Sequence, residues 1–327
     1  MFGLGWLRAL TDARGLLEHA HHGVPRLGEG YTTDDNARAL LYLSLLPEGA
    51  RDEGLVRTYL AFLRHMQKED GRFRNGLTLD GRFEDEGEAE DPTGRAVLAL
   101  AAAQRLPPPY AGPAREALLR ALPALEGFTS LRGRAYALLG LLALPKEPFL
   151  EAAEALGEGL LRAFREAEPA WPYPGPLTYA NHRPVEALYA YGLAFRRQEA
   201  VALARRALAF LKEHYFTPGE EGLFFDPVGN RFMARGRDKP LFDQQPIEAK
   251  CALLAHLRFG ERVLAEVAFL WFHGRNRLRA PLVDAFGPMD GLTPHGPNQN
   301  RGAEALLAYH LAWQALVQGV FPQVDEG

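Results

Sequence analysis

The sequence contains a few aspartates whose neighbours suit acid–base chemistry. Asp34 and Asp35 are adjacent and Asp91 follows Glu90, so repulsion within each pair can hold one proton on a carboxyl group at neutral pH. A helix N-terminus acts the other way and keeps a carboxylate ionised, as a general base requires. Asp243 stands apart beside two glutamines and is the best isolated candidate for an acid. Two carboxyl groups that flank a glycosidic bond supply the proton donor and the base for hydrolysis. The predicted catalytic residues are Asp34, Asp35, Asp91 and Asp243.

Aromatic and polar residues accumulate in the segments around these aspartates. Aromatic faces can stack on pyranose rings, and amides and carboxylates can hydrogen-bond to sugar hydroxyl groups. These segments are the least apolar of the chain and therefore indicate a sugar ligand. The predicted substrate-binding residues are Tyr31, Asn36, Trp171, Tyr173, Tyr179, Asn181, His182, Arg183, Gln244, Gln245, Glu248, His295, Asn300 and Glu304.

A short phrase, a charged residue followed by alanine near a helix start, recurs six times. The charged residues are Arg38, Arg95, Arg134, Glu186, Glu248 and Glu304. Successive copies lie roughly one helical hairpin apart, which is typical of a repeat architecture. Ion pairs between neighbouring helices explain this position economically because buried charges are paired. Arg134–Glu186 and Arg38–Glu304 are the predicted pairs, and the alternative for the glutamates is the floor of a pocket.

A polar residue also stands four positions before each of these charged residues. The six are Asp34, Asp91, Ser130, His182, Gln244 and Asn300. Asp, Ser and Asn are preferred N-caps, so capping explains several of them singly. If the copies close into a ring, all six N-termini meet at one mouth, where free amides favour hydroxyl-rich or anionic ligands. Both interpretations stay open.

Helical periodicity covers most of the chain and predicts about twelve helices. Residues 55–68, for example, carry a broad apolar stripe at helical spacing. Its members are Leu55, Val56, Tyr59, Leu60, Phe62, Leu63 and Met66. Strand patterns are confined to residues 71–83 and 222–232, each of which predicts a small hairpin. We therefore expect an all-α fold, an (α/α)6 toroid of six helical hairpins with inner and outer rings and small β-hairpins in rim loops, formed by residues 1–327 as a single domain. An open solenoid is the alternative, although polar caps are not evident.

Composition argues against several classes of protein. A net charge of −4 gives no electrostatic footprint for nucleic acid or an anionic membrane surface. No apolar run reaches the roughly 20 residues that span a bilayer. The N-terminal segment lacks the pattern of a signal peptide, so we expect a cytoplasmic protein. The single cysteine, Cys251, lies in an apolar run and is predicted to be a buried thiol.

Motifs for other chemistries are missing from the sequence. It has neither a glycine-rich phosphate loop nor a paired-cysteine zinc motif, so no cofactor and no metal is predicted. His19, His21 and His22 have metal-like spacing, but a polar surface loop is the preferred interpretation. No serine lies in the context of a nucleophile elbow. The acidic run at 84–88 is predicted to be a solvated loop.

Five segments together resemble a known family. They are Glu29-Gly-Tyr-Thr-Thr-Asp-Asp-Asn-Ala-Arg-Ala39, Glu90-Asp91 with Gly94-Arg95-Ala96, Leu177-Thr-Tyr-Ala-Asn181, Phe242-Asp-Gln-Gln-Pro-Ile-Glu-Ala249 and Gly302-Ala-Glu304-Ala. They are similar to bacterial six-hairpin glycosidase-like proteins, often encoded beside or fused to glycosyltransferases. The resemblance runs from about Leu10 to Leu316 and implies an (α/α)6 toroid, a carbohydrate pocket and a glycosyltransferase encoded nearby as a partner. At 173–176 the chain has Tyr-Pro-Gly-Pro where an aromatic–glutamate pair is expected, so one carboxylate of this loop is absent.

These observations predict a carbohydrate-active enzyme that cleaves an oligosaccharide, with inversion at the anomeric carbon. Three alternatives stay open. A phosphorylase would need a phosphate site, which Arg183 and His182 could provide. A sugar epimerase would use histidines and make His182 and His295 essential. A non-catalytic glycan-binding partner of a glycosyltransferase would need the aromatic residues and not the carboxylates.

Overall fold

The structure, a computed structural model, is helical through most of its length and describes residues 4–84, 90–144 and 146–319. Twelve α-helices lie within these residues, in agreement with the sequence. They are α1 (Gly5–Ala9), α2 (Thr33–Ser44), α3 (Glu53–Met66), α4 (Glu90–Ala102), α5 (Pro108–Leu125), α6 (Leu131–Leu141), α7 (Phe149–Arg165), α8 (His182–Ala194), α9 (Gln198–Tyr215), α10 (Pro246–Arg258), α11 (Arg262–Leu270) and α12 (Ala303–Gln318).

Short antiparallel strands occupy the loops. They are β1 (Ala20–His21), β2 (Val24–Pro25), β3 (Tyr31–Thr32), β4 (Gly76–Leu77), β5 (Phe83–Glu84), β6 (Phe216–Gly219), β7 (Gly222–Phe225), β8 (Val283–Asp284), β9 (Gly287–Pro288), β10 (Gly291–Thr293) and β11 (Gly296–Asn298). The hairpin predicted at 71–83 is present as β4–β5, and β3 joins it as a third strand. The hairpin predicted at 222–232 is displaced: β7 pairs with the preceding β6. Pro227 has no N–H for a ladder, so the chain after β7 leaves the sheet.

The chain divides into two compact units. Of the described residues, 4–159 belong to the first unit and 160–319 to the second, and α7 contains the boundary. The expectation of a single domain over residues 1–327 stays a prediction. So do the ion pairs Arg134–Glu186 and Arg38–Glu304, since each would join a residue of one unit to a residue of the other.

In the first unit, α2, α4 and α6 pack side by side, with α3 against α2 and α5 against α4. The three are almost wholly buried, whereas α3 buries one stripe, the seven apolar residues predicted from its periodicity. The side chain of Glu90, at the start of α4, accepts hydrogen bonds from the backbone N–H groups of Thr129 (2.8 Å) and Ser130 (2.5 Å), just before α6. The two helices therefore begin together.

Glycines allow α4 and α6 to approach closely. A Cβ atom on Gly94 would lie 2.4 Å from the carbonyl oxygen of Gly133, and one on Gly140 would lie 2.7 Å from Cα of Leu98. These contacts pair early residues with early ones and late residues with late ones, so α4 and α6 run in the same direction.

The second unit repeats this plan. α8, α10 and α12 pack side by side, α9 lies against α8, and α11 lies against α10 and α12. The N–H of Ala180, just before α8, donates to Oε1 of Glu248 in the first turn of α10 (2.5 Å). Tyr189, later in α8, stacks on Phe259 just after α10, with ring centroids 3.9 Å apart. α8 and α10 are thus parallel.

The six polar residues before the repeated charge differ in their relation to the helix ends. Ser130 caps α6 as predicted, and its hydroxyl accepts from the N–H of Gly133. Asp34 is not a cap: Thr32 caps α2, which places Asp34 within the first turn. Asp91 and His182 also lie inside their helices, while Gln244 and Asn300 precede the N-cap residues of α10 and α12. Capping therefore explains one of the six.

Candidate functional site

The first unit brings Asp34 and Asp91 to the same end of its three parallel helices. Asp34 accepts a close hydrogen bond from Arg95 of α4, and its side chain is 20% exposed. Its second oxygen, Oδ1, is buried and has no hydrogen-bond partner among the described residues. Arg95 also acts electrostatically on Asp91, so one guanidinium group lies near both carboxylates.

Asp91 is held as a carboxylate by its neighbours. Ser130 Oγ donates to Oδ1 (2.5 Å) and Arg132 Nε donates to Oδ2 (2.6 Å). Burial opposes ionisation, but the charge of Arg132 and the hydrogen bond from Ser130 outweigh it and lower the pKa of Asp91 below its usual value. Both oxygens are therefore engaged in positioning contacts.

Asp35 is buried and belongs to the packing of α2. Arg38 Nη1 donates to its Oδ1 (2.5 Å) and Thr32 Oγ1 donates to its Oδ2 (3.1 Å). Arg38, one of the six repeated charges, is thus paired within its own helix. These contacts favour a structural role for Asp35.

A carboxyl group that sequence reasoning missed, Glu18, lies beside this pair of aspartates. Its side chain is 31% exposed. Burial raises the pKa of Glu18 to about 8, and the charges of Asp35 and Asp34 add to this rise, whereas Arg38 opposes it. Glu18 therefore keeps its proton at neutral pH, as a general acid must.

Two predicted ligand residues hold the segment that carries Glu18. The buried side chain of Asn36 accepts from the N–H of Leu16 (2.9 Å) and donates to the carbonyl of Leu16 (3.2 Å). Tyr31 is also buried, and its hydroxyl donates to Oδ2 of Asp12 (2.5 Å). The N–H of Glu18 donates to the carbonyl of Gly30 (3.1 Å). No local sequence pattern marks Glu18, because tertiary contacts bring it to the aspartates.

In the second unit, Asp243 and Gln244 have different environments. Asp243 is exposed and has a left-handed backbone (φ 59°). Gln244 is buried: its Nε2 donates to Oδ1 of Asp226 (2.9 Å) and its Oε1 accepts from Nε1 of Trp271 (2.9 Å). Asp243 stays a predicted catalytic residue, while the contacts of Gln244 favour a structural role.

Asp226 itself is a buried carboxylate that joins distant segments. It accepts from Lys239 Nζ (2.8 Å) and from Arg277 Nη2 (2.5 Å), and Thr217 Oγ1 also donates to it (3.1 Å). Burial opposes its ionisation, but hydrogen bonding to Arg277 and the charge of Lys239 hold the pKa of Asp226 below its usual value. No pattern in the sequence distinguished this residue.

Asn181 and Glu248 belong to a buried hydrogen-bond network at the start of α8. Asn181 Nδ2 donates to the hydroxyl oxygen of Tyr215 (2.7 Å), and its Oδ1 accepts from the N–H of Thr178 (3.0 Å). Glu248 accepts from the N–H of Ala180, whose backbone is left-handed (φ 53°). Burial, together with the charge of Glu248, raises the pKa of Tyr215 well above its usual value.

His182 and Arg183, the next two residues, lie in the core. His182 is fully buried, and its ring lies near Tyr215 (4.8 Å between centroids) and His256 (5.8 Å). Neither ring nitrogen of His182 has a hydrogen-bond partner among the described residues. Arg183 donates to Glu186 (2.5 Å), which also accepts from Arg258 (3.0 Å). Both environments favour structural roles.

The remaining predicted contacts are spread over the loops. Trp171 and Tyr173 line a groove, and Tyr179 packs on the cluster of Ala180, Ile247 and Cys251. His295 is exposed in the β10–β11 turn, and the other three are half-buried around the starts of α10 and α12. These three are Gln245, Asn300 and Glu304. The residues that the structure brings together within a unit are thus Asp34, Asp35 and Asp91 in the first, and Asn181, His182, Arg183 and Glu248 in the second.

The residues that the structure describes form neither a metal site nor a membrane-spanning helix. They contain no group of three or more His, Cys, Asp or Glu side chains arranged to hold a metal ion. None of their helices combines the length and the apolar character needed to cross a bilayer. His19, His21 and His22 are exposed beside the β1–β2 hairpin. Most of the predicted acidic loop, 85–88, lies outside the described residues.

Several solved structures of other proteins are similar to this one over nearly the whole chain. A D-mannose isomerase has 11% identity and a TM-score of 0.69, over 96% of this chain and 94% of that one. A cellobiose 2-epimerase from Bacillus thermoamylovorans has 10% identity and a TM-score of 0.71, over 96% and 95%. A GH76 α-mannanase from Bacteroides thetaiotaomicron has 10% identity and a TM-score of 0.63, over 97% and 93%. The sequence matches no protein-family model and no curated protein. The likeness shows the fold: the chain is all-α, an (α/α)6 toroid with small β-hairpins in its loops, as its sequence predicted.

Proposed function

We propose that this protein is a carbohydrate-active enzyme, and specifically an inverting glycoside hydrolase that acts on an oligosaccharide. The observation that carries the proposal is the position of Glu18, protonated at neutral pH, beside Asp34, a partly exposed carboxylate that accepts a hydrogen bond from Arg95. The fold supports the substrate class, since proteins named for activity on mannose, cellobiose and mannan share it.

The two carboxyl groups have distinct roles in this proposal. Glu18 donates its proton to the glycosidic oxygen as the bond to the anomeric carbon breaks. Asp34 accepts a proton from the water molecule whose oxygen bonds to that carbon, so Glu18 ends as a carboxylate and Asp34 as an acid. Arg95 orients Asp34 through its hydrogen bond. Asp91, with both oxygens engaged, holds Arg132 and Ser130 in place.

The alternatives have less support from the side chains assigned to them. A phosphorylase would bind phosphate at Arg183 and His182. Arg183, however, forms an ion pair with Glu186, and His182 is fully buried. Epimerisation was assigned to His182 and His295, and only His295 is exposed. A cytoplasmic location and a glycosyltransferase encoded nearby belong to the proposal as expectations from the sequence.

Two substitutions test the assignment. Glu18→Gln and Asp34→Asn should each reduce turnover of an oligosaccharide by about 10²–10⁴-fold, the usual contribution of general acid–base catalysis. A glycosyl fluoride needs no proton on its leaving group, so Glu18→Gln should keep most activity on it while Asp34→Asn loses activity on both substrates. NMR of the first product should show an inverted anomer.

Glu48→Gln is the control because Glu48 is an exposed carboxylate of the first unit, in the turn after α2. It should keep wild-type turnover. Wild-type turnover by both Glu18→Gln and Asp34→Asn would overturn the proposal. Epimerised sugar in place of cleaved product would favour the epimerase alternative.

A further inference from the structure

A groove of about 520 Å³ lies within the second unit and is lined by residues other than those assigned to catalysis above. Its walls are the C-terminal end of α7 with the residues that follow, the segment 171–176, and Ala234 with Arg235. This volume falls within the range of about 300–1,000 Å³ typical of small-ligand sites. The groove is therefore large enough for a sugar unit.

The walls are fixed before any ligand binds. Leu177 and Met233 exchange two backbone hydrogen bonds of 2.8 Å, which join the two loops beside the groove. Trp171 Nε1 donates to the carbonyl of Gly175 (2.8 Å), so the indole holds the segment 171–175 in a turn. A preformed site avoids the entropy loss of ordering loops on binding.

Buried aromatic rings form the floor. Trp171 packs edge-on against Phe210 with centroids 4.8 Å apart, and Tyr173 packs edge-on against Phe164 at 5.8 Å. Pro176 is exposed and adds an apolar ring to the wall of the groove. Trp171 and Tyr173 keep only 9% and 3% of their surface exposed, so the groove has a rigid apolar floor that a sugar reaches at the ring edges.

Charged groups of both signs surround this floor. Glu166 is exposed, and Glu168 forms an ion pair with Arg235 across the groove. A carboxylate accepts hydrogen bonds and a guanidinium group donates them, so these side chains can bind ligand groups that both donate and accept hydrogen bonds. Hydroxyl groups have this property. A free anion would meet Glu166, and a free cation would compete with Arg235 for Glu168.

We propose that this groove is a binding site for a neutral glycan. Its sugar rings would lie on the floor of Trp171 and Tyr173, with hydroxyl groups hydrogen-bonded to Glu166, Glu168 and Arg235. The choice of ligand class rests on the proposed carbohydrate function, whereas the site itself rests on the groove. The groove is assigned to binding alone, because catalysis is assigned to Glu18 and Asp34 of the first unit.

A substitution that fills the groove tests this assignment. Ala234 is exposed in its wall, so Ala234→Trp adds an indole there without removing a packing contact. The probes are cellobiose, α-1,6-mannobiose and an array of neutral glycans, measured by calorimetry and by the change in tryptophan fluorescence. At least one probe should bind the wild type, and Ala234→Trp should weaken that binding by about tenfold or more.

Ala50→Trp is the matched control, since Ala50 is exposed in the turn after α2, in the first unit. It should bind the same probe as the wild type does. The proposal is overturned if no neutral glycan binds, or if Ala234→Trp binds as the wild type does. The proposal is also overturned if the wild type binds no glycan but binds a basic peptide, and Ala234→Trp abolishes the peptide binding. That result would assign the groove to a protein partner.

The catalytic proposal fails separately from this one. Glu18→Gln should lose turnover and keep glycan binding in the groove. If turnover is unaffected by Glu18→Gln but Ala234→Trp weakens glycan binding, the groove proposal stands and the hydrolase proposal falls.

Discussion

Burial acts on two titratable side chains, Glu18 and His182, and favours the neutral form of each. Glu18 is held as an acid by burial and by the neighbouring aspartates. His182 has its pKa lowered well below the usual value by burial and by His256. The two shifts have opposite consequences for stability against pH, because one group retains a proton on folding and the other releases one.

Glu18 should make the protein less stable as the pH rises from about 4.5 to about 8. Its pKa is about 8 in the folded chain against 4.5 unperturbed, so its contribution is complete below 4.5 and is lost as the pH rises through 8. One proton gives a slope of at most about 1.4 kcal/mol per pH unit, and partial exposure reduces it. Urea unfolding should show this decline in the wild type and a flatter profile in Glu18→Gln. Equal slopes in both proteins would show that Glu18 is not buried as described.

His182 should make the protein less stable on the acidic side. Its folded pKa is depressed, so its contribution is present above 6.5 and is lost as the pH falls below that value. Because neither ring nitrogen has a partner among the described residues, His182→Phe preserves shape and breaks no hydrogen bond. Unfolding free energies should be similar at neutral pH and should fall less steeply with acid in the variant. A variant that unfolds at neutral pH would show that the imidazole makes an essential contact.

At the level of helices, the glycines between α4 and α6 set how closely those helices pack. Gly94→Ala should destabilise the protein by about 1–3 kcal/mol, since its Cβ would meet the carbonyl oxygen of Gly133 at 2.4 Å. This exceeds the gain of about 1 kcal/mol in helix propensity. Gly5→Ala, at the first position of α1, is the control and should stabilise the protein slightly, since no atom from another part of the chain lies within 4 Å of the added Cβ. Thermal melting of the two variants measures the difference, and equal melting temperatures would refute the close approach.

The elements were largely predictable because their patterns are local. The apolar stripe of α3 and the helical repeat follow directly from residue spacing. The displaced hairpin β6–β7 was not predictable in the same way, since Gly222–Phe225 could pair on either side and Pro227 decides the partner. The N-terminus of α2 was misplaced by two residues because Thr32 and Asp34 are both capable caps.

At the scale of the whole molecule, the architecture could be predicted from the six copies of the repeated sequence motif. The candidate site could be predicted only in part. Asp34 and Asp91 of the candidate site could be proposed from the sequence because each lies four positions before a repeated arginine. Glu18 could not, since Asn36 fixes its position from a distant part of the chain. The sequence predicted that Gln244 and Asn181 bind substrate because both are polar residues in polar loops. In the structure their side chains form hydrogen bonds to Asp226 and Tyr215, respectively. Sequence alone does not reveal whether a loop amide faces solvent or the core.

The ion pair between Asp226 and Lys239 has a consequence for how this protein can acquire new chemistry. The ion pair joins the first and last residues of segment 226–239. The positions of these two residues therefore do not depend on the length of the chain between them. The exposed residues 236–238 lie between the groove wall and Lys239. Doubling a flexible loop adds only about 0.6 kcal/mol of closure entropy. Insertions or grafted loops at 236–238 should therefore be tolerated, which gives evolution and protein engineers a place to add binding specificity without rebuilding a helix.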